Sequence, residues 1–294
     1  MANNVVLDCQ VEVFNHLGPK VLAGFSLKDP MHPNGFSTRL TDPRSPDTIS
    51  EIAEKLGTMP SQLVLTQRWP HGNRVIIVGS HTELKQNRAL GTRFPGLPVD
   101  TYGYADSCDG FVTTRSDLVL TVQGADCPTL FVYDPTIGAI GIAHCGWKPL
   151  VRGIVFSVID QMIRLGSKPE NIQAYLGPGA GDNVYEFDDD APTHAIFKAA
   201  EREWLLKPHI RFYRRFEPDA KATLASVLGR SSDSLGDHVF ALTDLALSDL
   251  SYLGVRAVNA DRRSTILDPS LHSHRRDGAD SGRSLSFIGL QTDR

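Results

Sequence analysis

The sequence predicts an α+β fold organised as a single domain over residues 1–294. Three observations support this class. Short β-branched or alternating apolar segments recur along the chain, amphipathic segments with a 3.6-residue period occur between them, and 294 residues with 41% hydrophobic content can bury a large core. No repeat, low-complexity tract or linker divides the chain, so one domain is expected.

The N-terminal part is expected to contain two strands and one helix. Residues 11–14 and 21–25 carry short alternating apolar stretches, which are typical of strands. Residues 28–46 are rich in Pro, Asn, Gly, Asp and Ser and predict a loop. Residues 47–56 have apolar side chains at helical spacing between the capping candidate Asp47 and the stop signal Gly57. They predict the first helix.

Four apolar segments further along the chain predict strands, at residues 63–65, 75–78, 110–112 and 118–122. The first two flank the segment Trp69-Pro70-His71-Gly72, which places His71 on a tight loop between strands. A Pro-His-Gly turn is common in itself. His71 is therefore a candidate ligand only in combination with other residues.

A β-hairpin with a reactive pair at its open end is the most informative local feature. Residues 130–133 and 139–143 are apolar, and residues 134–138 between them have the composition of a five-residue turn. Cys127 precedes the first strand by a few residues, and His144 directly follows the second. Because the strands of a hairpin run antiparallel, we expect both side chains at the same end.

The spacing of this pair leaves three interpretations open. A thiolate and an imidazole can together bind zinc or copper, or the imidazole can lower the thiol pKa and make Cys127 a nucleophile. Both residues can also simply pack at the end of the hairpin. Asp126 could orient a histidine ligand or cap a turn. Cys145 is expected to face away from His144, into the core.

The C-terminal half is expected to alternate helices and strands. Residues 150–165 follow the helical period and end at Gly166, so they predict one helix. The glycine-rich segment 177–181 lacks the spacing of a nucleotide-binding loop and is interpreted as a turn. The remaining expected elements are helices at 192–206, 221–228 and 242–253 and strands at 172–176, 255–258 and 284–288.

The net charge and the isoelectric point indicate which class of binding partner to expect. The net charge of −4 and the isoelectric point near 6.2 argue against a nucleic-acid or membrane-surface partner, so small molecules are expected. The sequence shows neither a basic start followed by an apolar run nor about 18 consecutive apolar residues, which favours a cytoplasmic protein. The four cysteines are few and irregularly spaced, as in proteins with reduced thiols.

Four groups of residues fall in a characteristic order along the chain. They are Ala125-Asp126-Cys127-Pro128, Ala143-His144-Cys145-Gly146-Trp147, Gly177-Pro178 with Tyr185-Glu186, and His274-Arg275-Arg276-Asp277-Gly278 with Gly282-Arg283. In these groups the chain resembles the YfiH-like laccase-domain family, also known as polyphenol oxidase-like or purine nucleoside phosphorylase-like. The resemblance implies a layered sandwich in which mixed β-sheets pack face to face and helices lie outside.

The resemblance also implies a metal site. Zinc, with copper as the alternative, would be bound by His71, Cys127 and His144, and the same three residues would be catalytic. Two imidazoles and one thiolate leave a fourth position for water or substrate, which is the arrangement of a catalytic zinc. Three arginines near a polar turn, Arg275, Arg276 and Arg283, could hold phosphate. The candidate substrate-binding residues chosen are Arg276 and Arg283, with Trp147 as an aromatic wall.

The function implied by the resemblance is that of a zinc-dependent enzyme of purine nucleosides. The expected reactions are phosphorolysis of adenosine, inosine or methylthioadenosine and deamination of adenosine, so purine nucleoside and phosphate are the expected partners. Three alternatives stay open: copper-linked oxidation of phenols, a cysteine hydrolase or peptidoglycan-editing factor using Cys127 and His144, and a non-catalytic metal-binding protein. The Trp69-Pro70 and Lys148-Pro149 flanks, which depart from the family pattern, are compatible with the last alternative. The sequence leaves the oligomeric state open.

Overall fold

Two large β-sheets lie face to face at the centre of the computed structural model. The structure describes residues 4–7, 10–32, 35–66, 69–79, 85–86, 102–104, 107–187 and 210–291. The helix predicted at residues 192–206 lies outside the described residues.

The first sheet has eight described strands and is mixed. They are β1 Asn4–Leu7, β2 Val11–Phe14, β3 Val21–Ser26, β4 Leu63–Thr66, β6 Lys85–Gln86, β7 Tyr102–Tyr104, β9 Val119–Gly124 and β17 Ser284–Leu290. Their spatial order is β1-β2-β3-β17-β9-β4-β7-β6. Strand β17 runs antiparallel to both of its neighbours, β3 and β9, whereas β4 runs parallel to β9.

The second sheet carries the predicted hairpin and is also mixed. Its described strands are β5 Val75–Ile77, β8 Gly110–Thr113, β10 Thr129–Asp134, β11 Ala139–His144, β12 Gln173–Leu176 and β16 Ala257–Ala260, in the order β16-β12-β10-β11-β8-β5. A small antiparallel sheet joins β13 Glu186–Phe187, β14 Tyr213–Arg215 and β15 His238–Phe240.

The α-helices of the described residues lie outside the two large sheets. They are α1 Ser45–Lys55, α2 Trp147–Val151, α3 Ile154–Arg164, α4 Pro218–Leu228, α5 Leu242–Tyr252 and α6 His274–Asp277. Helix α1 begins two residues before the predicted start, with Arg44 at the N-cap, so Asp47 lies in the first turn instead of capping it. No helix in the described ranges is both long and apolar enough to cross a membrane.

The prediction of one helix over residues 150–165 is wrong, because the structure has two. Helix α2 ends at Val151, and Gly153, with a φ of 82°, lies in the left-handed region between α2 and α3. Apolar residues on both sides of this break are buried against the same sheet, as Leu150 and Ile154 show. The apolar side chains therefore keep the helical spacing on both sides of Gly153, and the break cannot be recognised from that spacing.

The core lies in three layers. Phe25, Leu120 and Phe131 belong to the cluster between the two large sheets, and Ile49 of α1 packs on the outer face of the first sheet. The other face of the second sheet is covered by α2, α3 and α5. Strands β10 and β11 are therefore buried on both faces, which explains their continuous apolar sequences. The predicted sandwich with outer helices is confirmed.

Candidate functional site

The hairpin places Cys127 and His144 at one end of the second sheet, as predicted. Strands β10 and β11 pair antiparallel with Thr129 opposite His144, and Cys127 lies two residues before Thr129. At the other end, Asp134 pairs with Ala139, so the turn is one residue shorter than predicted. Strand pairing thus brings together a thiol and an imidazole that are far apart in the sequence.

The sulfur and the imidazole converge on a bare backbone position. A Cβ atom built on Gly146 would lie 2.9 Å from Cys127 Sγ and 3.2 Å from His144 Nε2. Burial disfavours the imidazolium, but the negative charge of Cys127 and hydrogen bonds to Asp109 and Cys127 raise the pKa of His144 to about 9. The thiol and the imidazole therefore interact directly, and any side chain at position 146 would displace one of them.

The far side of the His144 ring is held by Asp109. His144 Nδ1 lies 3.1 Å from Asp109 Oδ1, and both side chains are buried. A carboxylate on Nδ1 favours the form of the ring in which Nδ1 carries a proton and Nε2 faces the cleft. Asp109 was not among the candidates from sequence. Its only local signal was an acidic residue directly before an apolar strand.

His71 lies in the same cleft, on an exposed loop. Its ring centroid is 5.2 Å from that of His144, with the two ring planes at 75°. Its backbone adopts a φ of 56°, and its carbonyl accepts a hydrogen bond of 2.6 Å from Arg152 Nη1. Partial burial and the nearby charge of His144 lower the pKa of His71. The His71 ring is therefore neutral at neutral pH, whereas His144, with its pKa raised to about 9, must lose a proton before its Nε2 can bind a metal.

The donor types at this position fit a zinc ion. A thiolate and two imidazoles are ligands that zinc prefers, and Cys127 Sγ and His144 Nε2 already meet at the cradle above Gly146. As the side chains stand, no group of three His, Cys, Asp or Glu residues in the described ranges could hold an ion. His71 is the donor that stands apart.

The cleft around these residues has a volume of about 440 Å³ and a basic wall. Arg275 and Arg283 line it together with Trp69 and Tyr185. The guanidinium of Arg275 lies over the Tyr185 ring, 5.2 Å from its centroid, and burial together with nearby Arg39 lowers the pKa of Arg283. The cleft thus combines positive charge with flat aromatic surfaces.

Arg275 and Arg283 are held by different partners. Arg275 Nη1 donates to Glu186 Oε2 at 3.2 Å, and Glu186 is buried. Arg283 Nη1 donates to the carbonyls of Ser281 and Gly282, at 3.0 and 2.7 Å. These contacts set both side chains against the cleft.

Two of the expected substrate-binding residues lie elsewhere. Trp147 packs edge-on against Phe187, with ring centroids 5.0 Å apart, and is not among the described residues that line the cleft. Arg276 also lies outside that lining. Its guanidinium donates to the carbonyls of Thr265, Asp268 and Leu271 at 2.7–2.9 Å. The aromatic residues that line the described part of the cleft are Tyr185 and Trp69, and the sequence showed Trp69 only as a flank of His71.

Asp126 and Cys145 have structural contacts. Asp126 accepts hydrogen bonds from Thr265 Oγ1 and from the backbone N–H of Arg275, both at 2.7 Å, so it fixes a loop, and it makes no hydrogen bond to a histidine of the described residues. Cys145 is fully buried in the cluster beneath the second sheet, as predicted.

Comparisons with known proteins agree with this architecture. Residues 46–291 match the family described as multi-copper polyphenol oxidoreductase laccase. The chain is 31% identical over 291 residues to the purine nucleoside phosphorylase YlmD of Bacillus subtilis, covering 94% of this chain and 91% of that protein. It is 33% identical over 183 residues to the purine nucleoside phosphorylase of Deinococcus radiodurans, covering 62% of this chain and 61% of that protein, less than two thirds of its length.

Two crystal structures have the same fold. The hypothetical protein YfiH of Bacillus licheniformis superposes with a TM-score of 0.74 at 25% identity, covering 97% of this chain and 98% of that one. YlmD from Geobacillus stearothermophilus superposes with a TM-score of 0.75 at 20% identity, covering 99% of this chain and all of that one.

Proposed function

The chain belongs to the multi-copper polyphenol oxidoreductase laccase family, and we propose that it is a zinc-dependent enzyme of purine nucleosides. One observation carries the proposal: a single cleft brings Cys127 and His144 into contact, with His71 beside them and two arginines on the wall. Relatives named purine nucleoside phosphorylase support the substrate class.

His71, Cys127 and His144 would hold the ion. Zinc bound there would supply Lewis-acid chemistry, by polarising a substrate oxygen or lowering the pKa of a water to about 7. The proposal requires the His71 ring to turn toward the other two donors, and its exposed loop position leaves space for that movement.

The remaining cleft residues would bind substrate. Arg275 and Arg283 offer charged N–H donors to phosphate oxygens. Trp69, whose ring centroid is 5.7 Å from that of His144, offers a flat face to a purine base. Of the three arginines that could hold phosphate, Arg275 and Arg283 would do so and Arg276 would not, and Trp69 would take the role expected of Trp147.

The test joins metal content to turnover. Protein purified without chelator is analysed by mass spectrometry for zinc and copper, then assayed with phosphate on inosine, adenosine and methylthioadenosine and for deamination of adenosine. We expect one zinc per chain, and loss of both zinc and turnover in His71→Ala and Cys127→Ala. His238→Ala, a change on the small third sheet, is the matched control.

Two results would contradict the proposal. Stoichiometric zinc that persists in both cleft variants would remove the ligand assignment. Stoichiometric copper, together with oxygen consumption on phenols, would favour the polyphenol oxidase alternative instead.

A second candidate function rests on a separate observation. Cys127, His144 and Asp109 form a continuous hydrogen-bonded series, which is the arrangement of a cysteine nucleophile with its base and orienting carboxylate. Such a hydrolase would be active without metal. Activity that survives chelation, is abolished by thiol alkylation and is not changed by added zinc would favour it over the metalloenzyme.

A further inference from the structure

We propose that Asp109 is a positioning residue that fixes both histidine segments of the cleft, with one carboxylate oxygen for each. The inference deepens the proposed function and rests on it only for the role of the metal. It is carried by the sheet topology and by contacts of the described residues.

The topology brings three chain segments together at Asp109. Strand β8 lies between β11 and β5 in the second sheet, and Asp109 is the residue just before β8. The backbone N–H of His144, at the end of β11, donates to the Asp109 carbonyl at 2.8 Å. The Asp109 N–H donates to the carbonyl of Arg74, just before β5, at 2.9 Å. The carboxyl group therefore stands between the two histidine-bearing segments.

Each carboxylate oxygen serves one of those segments. Oδ1 lies 3.1 Å from His144 Nδ1, whereas Oδ2 accepts the backbone N–H of Gly72 at 2.7 Å. Gly72 directly follows His71, whose left-handed φ of 56° sets the direction of the loop. Asp109 is fully buried, and its contact with His144 is shielded from water, whereas its contact with Gly72 is partly buried. One side chain thus fixes the imidazole of one candidate ligand and the backbone of the other.

Only a residue with two acceptor atoms can make both contacts at once. The Gly72 N–H requires an acceptor, and so does a His144 ring whose Nε2 is free to bind a metal, because its proton is then on Nδ1. An asparagine has one acceptor and one NH₂ donor. If the NH₂ faced His144 Nδ1, it would favour the tautomer with the proton on Nε2. If it faced the Gly72 N–H, two donors would oppose each other and the Gly72 bond would be lost.

The experiment compares Asp109→Asn with Asp134→Asn. Asp134 is also fully buried and accepts bonds from the Thr136 N–H and hydroxyl at the opposite end of the same hairpin, so it is a matched control. Zinc affinity is measured by competition with a chelator. The His144 Nδ1 proton is followed by NMR in metal-free, ¹⁵N-histidine-labelled protein. Near-ultraviolet circular dichroism reports whether each variant is folded.

We expect Asp109→Asn to weaken zinc binding about 10- to 100-fold and to move the His144 Nδ1 proton signal upfield or abolish it. Asp134→Asn should change neither. An unmoved proton signal in folded Asp109→Asn overturns the inference, and so does a zinc affinity within about threefold of the unmodified protein. If the unmodified protein binds no zinc, the proposed metalloenzyme fails, while the proton signal still decides whether Asp109 orients His144.

Discussion

Gly146 is the residue on which the geometry of the cleft most depends. Its missing side chain leaves the space in which Cys127 Sγ and His144 Nε2 approach each other. Distances of 2.9 and 3.2 Å to a built Cβ are shorter than carbon makes with sulfur or nitrogen without displacement. The glycine is therefore required by a close approach of side chains.

We expect Gly146→Ala to separate the thiol from the imidazole. The added methyl group should lower zinc affinity by at least tenfold, while the free energy of unfolding falls by about 1–3 kcal/mol because of overpacking. Chelator competition and urea unfolding measure the two effects. Full zinc affinity in a folded variant would show that the two donors do not use this space.

Residues of the cleft could be predicted from the sequence only where their partners lie nearby in the chain. Cys127 and His144 were predicted as a pair because a hairpin turn joins their strands. Asp109 was not found, because its role depends on β8 pairing with both β5 and β11, and that pairing is not encoded in any local pattern. Arg276 and Arg275 are adjacent in sequence, and no local pattern indicates which of the two side chains enters the cleft.

At the scale of the element, periodicity predicted the type of most strands and helices but not their ends. Strand β17 and helix α5 lie close to their predicted positions. The break between α2 and α3 was missed, because a left-handed glycine leaves the apolar period intact. Helix α2, on the N-terminal side of that break, begins at Trp147, directly after Gly146.

Replacing Gly153 tests the importance of this break. Its φ of 82° is disfavoured for residues with a side chain. We expect Gly153→Ala to lower the free energy of unfolding by about 1 kcal/mol, measured by urea denaturation. An increase in stability, as expected if α2 and α3 fused into one helix, would contradict the account.

At the scale of the whole molecule, the sandwich predicted from family resemblance is confirmed, whereas composition and periodicity alone gave only the α+β class. Which strands share a sheet depends on long-range pairing, as between β17 and β3. The meeting of residue 71 with the hairpin likewise depends on β5 joining β8 in parallel. These contacts are determined by the packing of the complete core and not by neighbouring residues.

A buried histidine should make the stability of the whole molecule depend on pH. Burial, partly offset by the Phe36 carbonyl, lowers the pKa of His272 to about 4. In the unfolded chain His272 binds a proton near pH 6.5. The contribution of His272 to the free energy of unfolding is therefore complete above that pH and is lost as the pH falls toward 4.

The difference in unfolding free energy between the unmodified protein and His272→Asn should therefore shrink as the pH is lowered. We expect a change of about 3 kcal/mol between pH 7 and pH 4, from urea unfolding at each pH. A difference that is independent of pH would show that His272 has the same pKa in the folded protein as in the unfolded chain.

One sulfur and two imidazoles of this cleft are proposed to bind one zinc ion. X-ray absorption at the zinc edge, on protein purified without chelator, identifies the ligand atoms. We expect one sulfur and two imidazole nitrogens around zinc, with the sulfur lost in Cys127→Ser. A zinc environment without sulfur, or one unchanged in Cys127→Ser, would contradict the proposal.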